Sequence, residues 1–79
     1  MRLGRFKVVG EFYRNYELMI AMQHGMAVLN VHIAYEVANC YEFIAAGEMF
    51  DDVPDYHIVP EYKVIVDDHL NFTFQRING

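Results

Sequence analysis

Tyr16-Glu17-Leu18-Met19-Ile20-Ala21-Met22-Gln23-His24-Gly25-Met26-Ala27-Val28-Leu29-Asn30-Val31-His32-Ile33-Ala34 admits two readings, and the choice between them sets the fold. As strands, Tyr16, Leu18, Ile20 and Met22 share one face, His24-Gly25 makes a tight turn, and Leu29, Val31, Ile33 and Tyr35 alternate with Asn30, His32, Ala34 and Glu36. As a helix, Glu17 to Ala34 is rich in Leu, Met, Ala and Gln, and Asn15 is a suitable cap. Gly25 in mid-helix costs about 1 kcal/mol relative to Ala. Sustained alternation after Gly25, with β-branched residues on one face, favours strands.

Working outward, Phe6-Lys7-Val8-Val9-Gly10-Glu11-Phe12-Tyr13 alternates as a half-buried strand, with Gly10 marking a bulge on its apolar face. Arg14-Asn15 then reads as a two-residue hairpin turn into the next strand. A helix is expected further on. Asn39 followed by Glu42 fits a cap with its reciprocal partner, and the run from Cys40 to about Phe50 places Cys40, Phe43, Ile44 and Gly47 on one face. Asp51-Asp52-Val53-Pro54-Asp55 ends it, because proline cannot continue a helix.

Tyr56-His57-Ile58-Val59, stopped by Pro60, reads as an edge or bulge segment. Tyr62–Val66 and Leu70–Phe74 form a hairpin around Asp67-Asp68-His69. The expected order is β-β-β-α-β-β. That is an α+β class domain over residues 1–79, an antiparallel sheet of about five strands with one helix on one face.

Composition bounds the class. The 79 residues are 54% hydrophobic and 22% charged, which argues against disorder and allows one domain. No apolar stretch reaches the roughly 18 residues of a bilayer span, and no basic segment precedes an apolar core as in a secretory signal. The single Cys40 cannot form an internal disulfide, so a reducing, cytoplasmic setting is expected, a host cytoplasm if the source is viral. So small a domain without disulfides tends to need a metal or self-association. Apolar residues such as Val9, Met19, Ala21 and Val28 lie off the face one helix can cover, so a homodimer is expected.

Charge is unevenly placed. The net is −5, yet the first fifteen residues hold Arg2, Arg5, Lys7 and Arg14 against Glu11 alone. Between Tyr16 and Tyr62 there is no Lys or Arg, only Glu17, Glu36, Glu42, Glu48, Asp51, Asp52, Asp55 and Glu61. An acidic centre repels phosphates and attracts basic protein surfaces. The basic, aromatic start (Arg2, Arg5, Phe6, Lys7, Phe12, Tyr13, Arg14) is a small candidate nucleic-acid face, opposed by the rest of the chain.

Catalytic and metal chemistry find little footing. His24, His32, His57 and His69 lack the short spacing of a zinc site, and Asp51, Asp52 and Asp55 lack the spacing and glycine of a calcium loop. The chain has no serine, Cys40 reads as a buried small apolar residue, and no glycine-rich loop cradles a phosphate. No enzyme activity, metal or cofactor is therefore expected.

The specific combination is tyrosines among carboxylates. Tyr41, Glu42, Glu48, Asp51, Asp52, Asp55, Tyr56 and Glu61 are the expected partner-binding residues: rings anchor, and carboxylates steer a basic partner and accept from its arginines. The expected function is a small acidic protein-binding module, an inhibitor or regulator of a larger basic, nucleic-acid-handling protein. Without a shared motif, the profile is similar to that of small phage-encoded inhibitors, anti-CRISPR proteins among them. The alternative is a self-assembling structural subunit.

Overall fold

The strand expected over residues 6–13 stops at Val9, and the chain turns into helix. In the computed structural model, which describes residues 1–35, 38–55 and 57–78, β1 (Leu3–Val9) is followed by a single helical turn, α1 (Gly10–Tyr13), and by α2 (Tyr16–Gln23). Asn15 decides this. Its backbone is extended and its side-chain oxygen accepts from the Leu18 N–H at 3.1 Å, capping α2. The strand and hairpin expected over Tyr13–Met22 are thereby overturned. The alternation of Tyr16, Leu18, Ile20 and Met22 is incidental to a dense apolar run. Helical spacing instead turns Met19 and Met22 to the core and leaves Tyr16 and Ile20 exposed. Gly25, at φ 83°, then redirects the chain into β2 (Met26–Ile33), the strand expected from the alternation. A bulge at Leu29 interrupts its alternation.

The helix expected from Cys40 to Phe50 is a strand, β3 (Cys40–Gly47). Asn39 adopts φ 57°, a turn conformation rather than the extended one of a helix cap. Tyr41, Phe43 and Ala45 pair with Val8, Phe6 and Gly4 of β1, and Val31 and Val28 of β2 lie on the other side. A central strand that carries Ile44 and Ala46 on its outer face as well as Phe43 and Ala45 on its core face reads as a nearly continuous apolar run, which spacing alone does not separate from a helix. The last two strands, β4 (Glu61–Val66) and β5 (Phe72–Asn78), form the expected hairpin. Asp67 shapes its turn by accepting from the N–H groups of His69 and Asn71 at 2.8 and 2.9 Å.

The observed order is β-α-α-β-β-β-β, and the sheet runs β2-β3-β1-β4-β5. It is mixed, not antiparallel, because β1 and β4 pair in parallel at Arg5–Glu61 and Phe6–Tyr62. The domain is α+β with two short helices, both between β1 and β2. Among the described residues no helix is long and apolar enough to cross a membrane.

The core lies on one face of the sheet, where Phe6, Val8, Phe43, Ala45 and Tyr62 meet Met22 from α2 and Phe50 from the loop after β3. Phe6 stacks on Phe43 with ring centroids 5.3 Å apart and meets Phe74 edge-on at 5.2 Å. Met19 and Val28, expected on an uncovered face, pack against this cluster.

Candidate functional site

Between β3 and β4 the chain crosses the end of the sheet, its described residues forming no helix or further strand, and this segment carries the clearest surface feature. Two apolar anchors hold it: Phe50 is buried against Phe6, Tyr62 and Phe74, and Val53 is buried beside it. Hydrogen bonds stitch it down. The Asp51 N–H donates to the Tyr62 hydroxyl at 2.8 Å, and the Val53 N–H to the Met1 carbonyl at 2.9 Å. Arg2 donates to the Phe50 carbonyl at 2.9 Å. With Phe50 and Val53 turned in, the carboxylates of Glu48, Asp51, Asp52 and Asp55 face out.

Part of that charge is compensated. Asp51 accepts from Arg76 at 2.8 Å, and Asp52 from the chain's terminal ammonium, also at 2.8 Å. That hydrogen bond, reinforced by the ammonium charge, holds the Asp52 carboxyl below the ordinary aspartate range. Glu48 and Asp55 lie outside the ion pairs among the described residues.

A groove of about 430 Å3 opens beside this loop, lined by Asp52, Val53, Pro54, His57, Ile58, Pro60 and Arg76. Val53, Pro54, Ile58 and Pro60 supply its apolar surface, and Asp52, His57 and Arg76 its polar groups. His57 Nδ1 lies 3.2 Å from the Asp55 carbonyl, and Ile58 stands 87% exposed. Such a groove can take an apolar side chain flanked by a basic group, because its apolar residues supply contact area and Asp52 and the neighbouring Asp55 supply acceptors.

The other expected residues lie elsewhere. Tyr41 stacks on Tyr13 at 4.0 Å on the core face. Glu42 and Glu61 sit on the opposite face of the sheet, and Tyr56 lies outside the described residues. Glu42 is buried beside three nitrogen-bearing side chains: His32 Nε2 is 2.8 Å from Oε1, while Arg5 and Lys7 are 3.4 and 4.0 Å from Oε2. Lys7 also pairs with Glu61 at 3.0 Å. Much of the basic cluster near the start is therefore engaged inside the molecule. The structure thus brings together Asp51, Asp52 and Asp55, with Glu48 on the turn before them, and separates these from Tyr41, Glu42 and Glu61.

Sequence reasoning passed over Ile58 and Arg76 as site residues. Pro54 and Pro60 bracket the segment of Ile58 and remove ladder donors, but Val59 beside it is half-buried, so the prolines do not set which side chain is exposed. Nothing local marks Arg76 as the partner of a carboxylate 25 residues away. His24, His57 and His69 are exposed, Cys40 is buried, and among the described residues no three His, Cys, Asp or Glu side chains cluster to hold a metal. Comparison with protein-family models, curated proteins and solved structures finds no match to this chain.

Proposed function

We propose that this chain is a small acidic protein-binding module that docks a basic partner on the loop from Glu48 to Pro60. It acts there as an inhibitor or regulator of a larger, nucleic-acid-handling protein. The observation that carries the reading is the groove lined by Val53, Pro54, Ile58 and Pro60, with Asp52 in its wall and Asp55 close by, on a backbone already pinned to the core. A loop held in place before binding loses little conformational freedom on docking, so more of its contact energy goes into affinity. Glu48 and Asp55 supply charge for steering, and Ile58 supplies area to bury.

The test is capture from lysate by the immobilised chain, the Ile58→Asp variant and the Glu48→Lys/Asp55→Lys variant, each first shown to be folded by circular dichroism. The parent retains a basic protein, both variants lose it, and added salt lowers its association rate with the parent. If the parent retains nothing, or the variants retain the same protein equally, the reading fails.

A further inference from the structure

The sheet has two edges of different character. The β5 edge carries Arg76 and is bent by a bulge at Glu61–Tyr62. The β2 edge carries neither lysine nor proline, and the chain has no Asp, Glu, Lys or Arg between Leu18 and Tyr35. Edge strands are ordinarily blunted by such residues because their unpaired N–H and C=O groups template pairing. The Ala34 N–H donates to the Cys40 carbonyl, so by the alternation of an antiparallel ladder His32 and Asn30 also turn their backbone groups toward β3. Val31 and Ile33 therefore present theirs outward. Their side chains are exposed on the helix-packed side, where Tyr16 is 78% and Ile20 55% exposed. A second groove, of about 470 Å3, runs between α2 and β2 over Met19, Val28 and Phe43.

We propose that a second copy of this chain covers this edge. β2 pairs antiparallel with β2 of that copy about a two-fold axis through the Leu29–Ile33 stretch, and Tyr16 and Ile20 of each α2 close over the seam. Charge favours a second copy over a foreign strand. Copies of net charge −5 repel one another, and the uncharged stretch is where they can approach; a two-fold interface sets that patch against itself.

The inference is independent of the Glu48–Pro60 loop. The experiment is sedimentation equilibrium across the micromolar range, with hydrogen exchange on the same samples. The parent is expected at twice 9.3 kDa, with the Val31 and Ile33 amides protected. Ile20→Lys, and Val31→Pro, which removes an outward N–H, are expected to weaken the dimer at least about tenfold. Glu48→Lys/Asp55→Lys, which lies away from this edge and lowers the repulsion between copies, is expected not to weaken it. If Val31→Pro does not fold, Ile20→Lys on exposed helix surface decides. A parent monomeric throughout, or dimers unaffected by Ile20→Lys with the Val31 and Ile33 amides exchanging freely, overturns the proposal. A parent that stays monomeric while a foreign strand protects those amides overturns it equally.

Discussion

Phe50 and Gly4 form one packing unit, and the consequence can be worked through. Phe50 is 1% exposed, with ring centroids 5.0, 5.3 and 6.1 Å from those of Tyr62, Phe74 and Phe6. It lies flat against β1 at Gly4, where a Cβ would stand 2.7 Å from its Cγ and closer still to other ring atoms. Gly4→Ala must therefore displace a ring that three aromatic neighbours hold, and overpacking of this kind costs about 1–3 kcal/mol. Truncating the ring costs more, about 3–5 kcal/mol for Phe→Ala, against a total stability of roughly 4–12 kcal/mol for a chain of this length. The informative measurement is the combination. With the ring gone, Ala at position 4 meets no obstacle. Its only remaining effect is to restrict the unfolded chain, worth about 0.4–1 kcal/mol in favour of the fold.

The substitution at position 4 thus changes sign with the residue at position 50. Urea unfolding of the parent, the two single variants and the double variant, followed by circular dichroism, reads the four stabilities. If Phe50→Ala does not fold, Phe50→Leu serves, since its flexible side chain can yield to the new methyl group. Equal destabilisation by Gly4→Ala in both backgrounds would falsify the reasoning.

Glu42→Ala leaves Arg5 and Lys7 without a shared acceptor. Because both cations reach solvent, the loss is expected near the lower end of about 1–3 kcal/mol, with Glu42→Gln recovering part; urea melts check it, and no change means the cluster is only solvated surface. The N–H groups of Asn71 and His69 hold the Asp67 carboxyl below its ordinary 3.8. Its stabilising contribution is therefore present above that value and is lost as pH falls through the lower, folded one. Asp67→Asn should flatten the stability profile there, and an unaltered acid limb counts against the turn geometry. A chelator is expected to leave the melting temperature unchanged, and a fall of several degrees would reveal a structural ion. Gly25→Ala, at φ 83°, should destabilise by about 1 kcal/mol or more in thermal melts, and a neutral result excludes the left-handed turn.

Read alone, the chain already determined the terminal hairpin and the strand after Gly25, because each rests on a local pattern; the α+β class is met by other elements, since the helix expected from Cys40 is a strand and the strand expected over Tyr16–Met22 is a helix. β-Branched residues flank Asp67-Asp68-His69 at one place, and alternation runs from Asn30 to Ile33 at the other. Asn15 was legible as a cap, and its hydrogen bond to Leu18 settled a choice that the apolar run after it left open. The acidic loop was legible too, since Pro54 stops any regular element before Asp55.

Tertiary structure decided the rest. Cys40–Gly47 is a strand because β1 and β2 flank it, and no spacing within that run encodes its neighbours. The parallel pairing of β1 with β4 joins residues 56 positions apart, as Arg5 with Glu61. The acidic centre was likewise read as one surface. Folding divided it: Asp51 went to Arg76, Asp52 to the terminal ammonium, and Glu42 to Arg5, Lys7 and His32 on the far side of the sheet. Charge along a chain records composition, but Coulomb attraction acts over a few ångströms in space, and which charges come that close is settled by sheet register.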